Sequence, residues 1–275
     1  MAETLASPLK GKRIVITRAA LQSEALSEQL SALGAIPVLL PLVAFADPED
    51  FAALDRAIAQ VESFDWMIFT SGQAVRAVVA RSRNLKAPLY RAGSKLLIAA
   101  VGPVSAEAVR QAGLPVEYVA NTHNGVALAE ELGERLRGRN VLLPRSDRAN
   151  SDLPAALKGR GAHVTEVVAY RTLQPTDVDK HNLSRIAAGE ADAILFFSPS
   201  AVQHFVELVG AEHLRSLQDR LAITSVGPVT AAALGQLNVR RIVVAPDTTA
   251  AAVVQALEEY FAGTVKQSVA GVKRG

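Results

Sequence analysis

The sequence predicts an α/β protein built from two similar parallel-sheet domains. Short apolar or β-branched runs recur along the chain, each followed by Gly, Ser, Thr or Pro and then by an Ala/Leu/Glu-rich stretch of helical period. This is the pattern of strand, turn and helix. The same series of segments occurs twice, about 125 to 127 residues apart, so each copy has the size of a domain. A length of 275 residues agrees with two domains.

Four pairs of matching segments define the repeat. In order along the chain they are 14–18 with 141–145, 65–71 with 192–198, 100–106 with 225–231, and 121–122 with 247–248. Each of the first three pairs reads as a strand that ends in a turn before a helix. Alternation of buried strands with helices predicts parallel sheets that are covered on both faces.

Composition excludes several classes of function. The absence of cysteine rules out disulfides, thiolate catalysis and cysteine-built metal sites, and suits a reducing compartment. No signal-peptide or membrane-spanning pattern is visible, so we expect a cytoplasmic protein with no membrane association. The balance of 29 basic against 27 acidic residues, with 5% aromatics, argues against nucleic acid. Glycine-rich nucleotide loops, His-Glu-x-x-His and Gly-x-Ser-x-Gly are also missing, so no cofactor and no metal are expected.

Hydroxyl side chains recur where the predicted strands give way to helices. They are Ser71, Ser105, Thr122, Ser198, Thr230 and Thr248. Ligands of parallel α/β sheets bind beyond the carboxyl ends of the strands, where helix starts bind anions. Taken singly, each hydroxyl is more simply explained as a helix N-cap. Their recurrence in both copies favours an anion-binding role, with two polar edges facing each other across a cleft.

Two arginines and one tyrosine add to this set. Arg18 and Arg145 follow matching strands and are suited to carboxylate binding, the alternative being a surface salt bridge. Tyr170 has no counterpart, because the first copy carries Val43 at the equivalent position. A phenol there is able to donate a proton into the cleft, whereas the simpler interpretation is an interfacial tyrosine bonded to a nearby carbonyl.

The order of the motifs resembles one enzyme family. The motifs are Ile-Thr-Arg, Phe-Thr-Ser, Val-Gly-Pro-Val-Ser-Ala, Tyr-Arg-Thr, Phe-Phe-Ser-Pro-Ser-Ala, Val-Gly-Pro-Val-Thr-Ala and Ala-Pro-Asp-Thr-Thr. From about Arg13 to about Phe261 the chain resembles uroporphyrinogen-III synthases. The resemblance implies a hydro-lyase that closes linear hydroxymethylbilane into uroporphyrinogen III, with loss of water and inversion of the last pyrrole ring. That substrate carries eight carboxylates, in agreement with the predicted anion-binding edges.

The resemblance also implies a domain plan. Residues 1–37 and 173–275 form one flavodoxin-like α/β domain, residues 46–163 form the other, and residues 38–45 and 164–172 are two linker strands. The family's linker tyrosine falls on Tyr170, its Gly-Pro-x-Thr threonine on Thr230, and its two strand-end serines on Ser198 and Ser71. Ser105 stands where relatives often have threonine. Thr17, in the Ile-Thr-Arg motif, completes the predicted substrate-binding residues.

The implied chemistry needs little from the protein besides a proton and a fixed substrate geometry. The pyrrole nitrogen expels the hydroxyl, Tyr170 is the expected proton donor, and binding orients the chain through a spiro intermediate. The main alternative is a two-lobed, non-catalytic binding protein for an anionic small molecule. A glycosyltransferase that uses a nucleotide sugar is a third interpretation. We expect a monomer, with the preceding or following enzymes of the pathway as the partners to consider.

Overall fold

A computed structural model describes residues 7–19, 22–91, 93–122 and 124–263, and the backbone of 268–269. The chain divides into two compact units. The first combines Met1–Ala44 with Leu173–Gly275, and the second is Phe45–Thr172. The first unit is therefore discontinuous, because the start of the chain joins the sheet that the C-terminal part builds.

Within the described residues, strands and helices alternate along most of the chain. The strands are Arg13–Ile16 (β1), Ile36–Leu39 (β2), Ala44–Ala46 (β3), Trp66–Phe69 (β4), Leu97–Ala100 (β5), Tyr118–Val119 (β6), Asn140–Ser146 (β7), His163–Leu173 (β8), Ala193–Phe196 (β9), Ala222–Val226 (β10), Arg241–Ala245 (β11) and Ser268–Val269 (β12). The helices are Glu24–Ala32 (α1), Ala52–Ala59 (α2), Gly72–Asn84 (α3), Pro103–Gln111 (α4), Gly125–Leu132 (α5), Asp152–Gly159 (α6), Lys180–Ala187 (α7), Pro199–Val209 (α8), Ala211–Leu217 (α9), Pro228–Gln236 (α10) and Ala250–Phe261 (α11).

The sheet of the first unit has the strand order β12-β11-β10-β9-β1-β2. Its pairs from β2 to β11 are parallel, and β12 pairs antiparallel with β11. The five parallel strands follow the 2-1-3-4-5 order of flavodoxin-like sheets. The chain turns away in opposite directions after β1 and after β9, so the switch point of this sheet lies between those two strands.

The sheet of the second unit has the order β3-β8-β7-β4-β5-β6. The pairs from β8 to β6 are parallel, and the switch point lies between β7 and β4. Residues of β4 alternate between two cores. Trp66 and Ile68 pack in one buried cluster, and Met67 and Phe69 pack in another. Burial on both faces explains why this strand is apolar throughout, so the structure confirms the predicted α/β class with two parallel-dominated sheets.

The predicted linker segments both contain strand residues. Residues 164–172 lie within β8, which pairs in parallel with β7 from His163 to Tyr170. Residues 38–45 include the end of β2 and the start of β3, which belong to different sheets. A role of these segments as linkers stays a prediction.

An aspartate fixes the start of the corresponding strand pair in each unit. The carboxylate of Asp65 accepts a hydrogen bond from the N–H of Asn140 at 2.9 Å, and that of Asp192 accepts one from the N–H of Arg13 at 2.9 Å. Each aspartate also donates its own N–H to the carbonyl of the same partner residue. Lys12 adds an ion pair to Asp192 at 2.8 Å. These reciprocal bonds set the register between the two strands at each switch point.

No helix in the described part of the chain is long and apolar enough to cross a membrane.

The aspartate contacts predict a pH-dependent loss of stability in Asp192→Asn. Burial alone would raise the pKa of Asp192, but the hydrogen bonds and charges of Lys12 and Arg13 lower it overall. The stabilisation is therefore present above the unfolded-state pKa of about 3.9, and is lost as the pH falls through the folded-state value. We expect the variant to lose about 1 kcal/mol of unfolding free energy near neutral pH. Urea unfolding of the wild type and the variant at neutral and at strongly acidic pH measures this loss. An equal loss of unfolding free energy at the two pH values would contradict the prediction.

Candidate active site

Polar side chains gather at the carboxyl end of the second unit's sheet, around its switch point. The strand β4 runs into Ser71, which is the N-cap of α3 and accepts a hydrogen bond from the N–H of Ala74 at 3.1 Å. The strand β7 carries Arg145 and Ser146 at its end. Crevices of this kind are where parallel α/β sheets bind ligands, because strand ends and helix starts converge there.

Tyr170 is joined to this switch point by a hydrogen bond. Its side chain lies on β8, is 9% exposed, and packs edge-on against Phe45 with ring centroids 5.5 Å apart. Its hydroxyl lies 3.1 Å from Oγ of Ser71, and either oxygen can be the donor. The partner of the phenol is thus a side-chain hydroxyl, whereas the simpler interpretation of the sequence predicted a carbonyl.

The surroundings of Tyr170 keep its phenol protonated. Burial is the largest influence and raises its pKa above the ordinary value of 10.0, and the negative charge of Asp147 adds to this. The hydrogen bond from Ser71 and the positive charges of Arg76 and Arg145 act in the opposite direction. A neutral phenol is a proton donor, and these three groups favour the phenolate that remains after donation.

The other predicted residues of the second unit differ in how their polar atoms are used. Arg145 is buried and forms an ion pair with Glu166 at 2.7 Å, with a further hydrogen bond to the carbonyl of Asn150. Ser105 is 5% exposed and lies in the first turn of α4, which starts without a side-chain cap. Thr122 is exposed, and Asn124 two residues later caps α5.

The switch point of the first unit has the same plan without a tyrosine. Ser198 caps α8 by accepting a hydrogen bond from the N–H of Ala201 at 3.3 Å. Thr17 is fully buried, and its hydroxyl donates to the carbonyl of Leu195 at 2.7 Å, which ties the end of β1 to β9.

Three more predicted residues follow strands of the first unit's sheet, namely Arg18 after β1, Thr230 after β10 and Thr248 after β11. The guanidinium carbon of Arg18 is 4.8 Å from the centre of the Phe197 ring, in a cation–π contact. Thr230 is 2% exposed in the first turn of α10, where Gly227 adopts a φ of 84° before Pro228. Thr248 is exposed, and the cap of α11 is its neighbour, Thr249.

Comparison with known proteins identifies the family. The sequence model of the family described as uroporphyrinogen-III synthase HemD matches residues 2–255. The chain belongs to the uroporphyrinogen-III synthase family. Its activity is accordingly that of a uroporphyrinogen-III synthase, a hydro-lyase of tetrapyrrole biosynthesis, and the family implies hydroxymethylbilane as the substrate.

Individual relatives and structures agree with this. The chain is 30% identical to the uroporphyrinogen-III synthase of Synechococcus elongatus over 92% of its own length and 97% of the relative's. It is 25% identical to the Saccharomyces cerevisiae enzyme over 82% and 87% of the two lengths. The fold matches a crystal structure of mutant uroporphyrinogen III synthase from Thermus thermophilus with a TM-score of 0.63 and 26% identity, covering 90% of this chain and 100% of that one.

Some polar residues beside Tyr170 in this synthase-family chain are not among the site residues predicted from the sequence. Oγ of Ser146 lies 2.8 Å from the hydroxyl of Thr172 and donates to Asp147, whose carboxylate also accepts the N–H of Thr172 at 2.9 Å. Arg76 on α3 is the other omission. The repeat gave no signal for them, since their counterparts in the other copy are Ala19, Phe45, Ala20 and Gln203. The signal that remained was the Tyr-Arg-Thr motif, which contains Thr172.

The two serine caps predict a matched pair of variants. Ser71→Ala and Ser198→Ala each remove an N-cap, which costs about 1 kcal/mol of unfolding free energy. Ser71→Ala also removes the partner of a buried phenol, so we expect roughly 1 kcal/mol more and a further rise in the pKa of Tyr170.

Urea unfolding and ultraviolet titration of tyrosinate measure the two effects. Subtraction of the Tyr170→Phe titration isolates Tyr170 among the four tyrosines. Equal losses of stability in the two variants, with an unchanged pKa of Tyr170, would contradict the assignment of Ser71 as the hydrogen-bond partner of Tyr170.

Proposed function

We propose that Tyr170 is the proton donor with which this chain starts the cyclisation of hydroxymethylbilane to uroporphyrinogen III. The observation that supports this most strongly is its hydrogen bond to Ser71 at the carboxyl end of the second unit's sheet. The phenol is buried and protonated, and Ser71, Arg76 and Arg145 favour the phenolate. A site with these properties can deliver one proton and retain the negative charge that is left.

The first step is the loss of the hydroxyl group. The lone pair of the terminal pyrrole nitrogen expels the hydroxyl as its C–O bond breaks, and the electron pair of that bond goes to oxygen. The proton of Tyr170 adds to the same oxygen, so water leaves. The products of the step are an azafulvene cation on the substrate and a phenolate on Tyr170.

Ser71 serves this step through both sides of its hydroxyl. Its oxygen accepts the N–H of Ala74, and its proton is then available to the phenolate oxygen of Tyr170. Because the cap fixes the position of Ser71 at the start of α3, the phenolate finds its donor already in place. Such preorganised donors stabilise developing charge without reorganisation during the reaction.

The inversion of the last ring depends on how the substrate is held. The substituted carbon of that ring attacks the methylene carbon of the azafulvene, and the resulting spiro intermediate reopens and recloses with the ring turned round. We assign the binding of substrate carboxylates to Arg18, Ser105, Ser198 and Thr230, together with the N–H groups of helix starts. These groups supply orientation, which suits a reaction without a nucleophile or a bound cofactor.

The remaining predicted residues have narrower roles in this proposal. The hydroxyl of Thr17 and the guanidinium of Arg145 are committed to Leu195 and Glu166, so both support the strand ends from which the substrate is bound. Thr122 and Thr248 are exposed beside helix caps and are assigned to outer carboxylates.

We further propose that the chain works as a cytoplasmic monomer without a cofactor. The absence of cysteine and the near balance of charge support a reducing compartment and a small acidic ligand. Contact with the preceding or following pathway enzymes is consistent with an unstable linear substrate that passes from one enzyme to the next.

The proposal predicts a selective loss of activity in Tyr170→Phe. Phenylalanine keeps the packing against Phe45, so the loss of unfolding free energy should stay near 1 kcal/mol. Without the proton, we expect turnover to fall by about a hundredfold. An assay that separates type III from type I product measures this, because closure without inversion gives type I.

Tyr118→Phe is the matched control. It also removes a phenol that is hydrogen-bonded to a side chain, here Glu131, but it lies on another strand and outside the proposed site. Full type III activity in Tyr170→Phe would overturn the donor assignment.

A further inference from the structure

Arg76 occupies an unusual place for a cation. It lies on the second turn of α3, and its guanidinium folds back toward the start of that helix. A Cβ atom on Gly72, the first residue of α3, would lie 3.4 Å from Nη1 of Arg76. The N-terminus of a helix carries a partial positive charge, so a guanidinium is disfavoured there unless negative charge comes close to it.

A neutral side chain holds this guanidinium in place. Nε and Nη2 of Arg76 both donate to Oε1 of Gln73, at 3.2 and 2.9 Å. Among the described residues, Arg76 forms no ion pair with a carboxylate. The guanidinium is therefore held in one orientation, while no carboxylate of the described residues neutralises its positive charge.

Tyr170 is the acidic group that this charge faces. Ser71 immediately precedes Gly72 and binds the Tyr170 hydroxyl, so the guanidinium and the phenol both lie near the start of α3, and the positive charge of Arg76 acts on the phenol. The other charged groups around the phenol are Arg145 and Asp147. Arg145 is paired with Glu166, and the carboxylate of Asp147 is bonded to neighbouring N–H and O–H groups. Arg76 is thus the cation near Tyr170 with the least compensated charge.

We propose that Arg76 is a positioning residue that acts through Tyr170: its guanidinium, oriented by Gln73, stabilises the phenolate that exists between proton donation and the end of the rearrangement. This inference rests on the proposed role of Tyr170. The proton leaves Tyr170 with the departing water, and the pyrrole proton released when the last ring recloses returns to the phenolate. The negative charge persists through the spiro intermediate, so a resident cation lowers the energy of every step in between.

The matching positions in the first unit agree with this role. The counterparts of Arg76 and Gln73 are Gln203 and Ser200, and Val43 stands at the position that matches Tyr170. The cation, its amide partner and the tyrosine are therefore present together in the second unit and absent together from the first.

The decisive experiment places a fluorotyrosine at position 170 of the full chain and follows its ionisation by fluorine NMR. Fluorine lowers the pKa of the phenol into an accessible range. We expect Arg76→Gln to raise that pKa by about one unit and to lower kcat about tenfold. Arg76→Lys keeps the charge and should retain most of both properties. Gln73→Glu supplies a compensating carboxylate while favouring the helix start, so it should also raise the pKa.

Arg83→Gln is the matched control, since it removes one positive charge from the last turn of the same helix. An unchanged pKa at position 170 in both Arg76→Gln and Gln73→Glu would overturn the proposal. A rise in KM alone, with kcat and the pKa unmoved, would also overturn it and assign Arg76 to substrate binding. Failure of the donor role itself is separate, because it appears as full activity in Tyr170→Phe.

Discussion

A buried phenol needs a hydrogen-bond partner, and in this chain the partner is Ser71. That requirement connects β8 to the start of α3 across the switch point of the second sheet. Because Ser71 is already committed to capping the helix, the pair cannot shift without loss of the cap. The position of the Tyr170 phenol is therefore set by the same bonds that terminate the strand and start the helix.

The topology explains why polar side chains lie together at the switch points of the two sheets. Parallel strands bring their carboxyl ends to one edge, and the chain leaves in opposite directions on the two sides of a switch point. Reciprocal bonds of Asp65 and Asp192 set the register of the strand pairs from their opposite ends. Strand ends held in this way carry Ser71 and Arg145 in one unit, and Thr17 and Ser198 in the other.

The strand ends and helix starts are largely predictable from the sequence, because each short motif occurs in both copies of the repeat. The hydroxyls Ser71 and Ser198 were predicted as helix starts, and both are N-caps. The binding roles assigned to these and the other polar residues stay predictions. Sequence patterns locate the ends of helices less exactly. The side chain that caps α11 is that of Thr249, one residue after the predicted Thr248.

The asymmetric features were harder to predict. Arg76, Ser146 and Asp147 are matched in the other copy by different residue types, Gln203, Ala19 and Ala20, so the comparison of copies does not single them out. Their importance comes from contacts between residues far apart in sequence. Likewise, an ion pair between Arg145 and Glu166 was foreseen only as an alternative to ligand binding, because spacing alone does not reveal which partner a guanidinium chooses.

The most direct test of the central claim is a crystal structure with a substrate analogue that binds without reacting. A bilane with a 2-hydroxyethyl group in place of the hydroxymethyl group retains the oxygen, but the pyrrole nitrogen cannot expel it because the C–O bond is one carbon further from the ring. We expect this oxygen to lie within about 3.2 Å of the Tyr170 hydroxyl, which also keeps its bond to Ser71. An analogue whose hydroxyl group binds away from Tyr170, with the phenol still bonded to Ser71 alone, would contradict it.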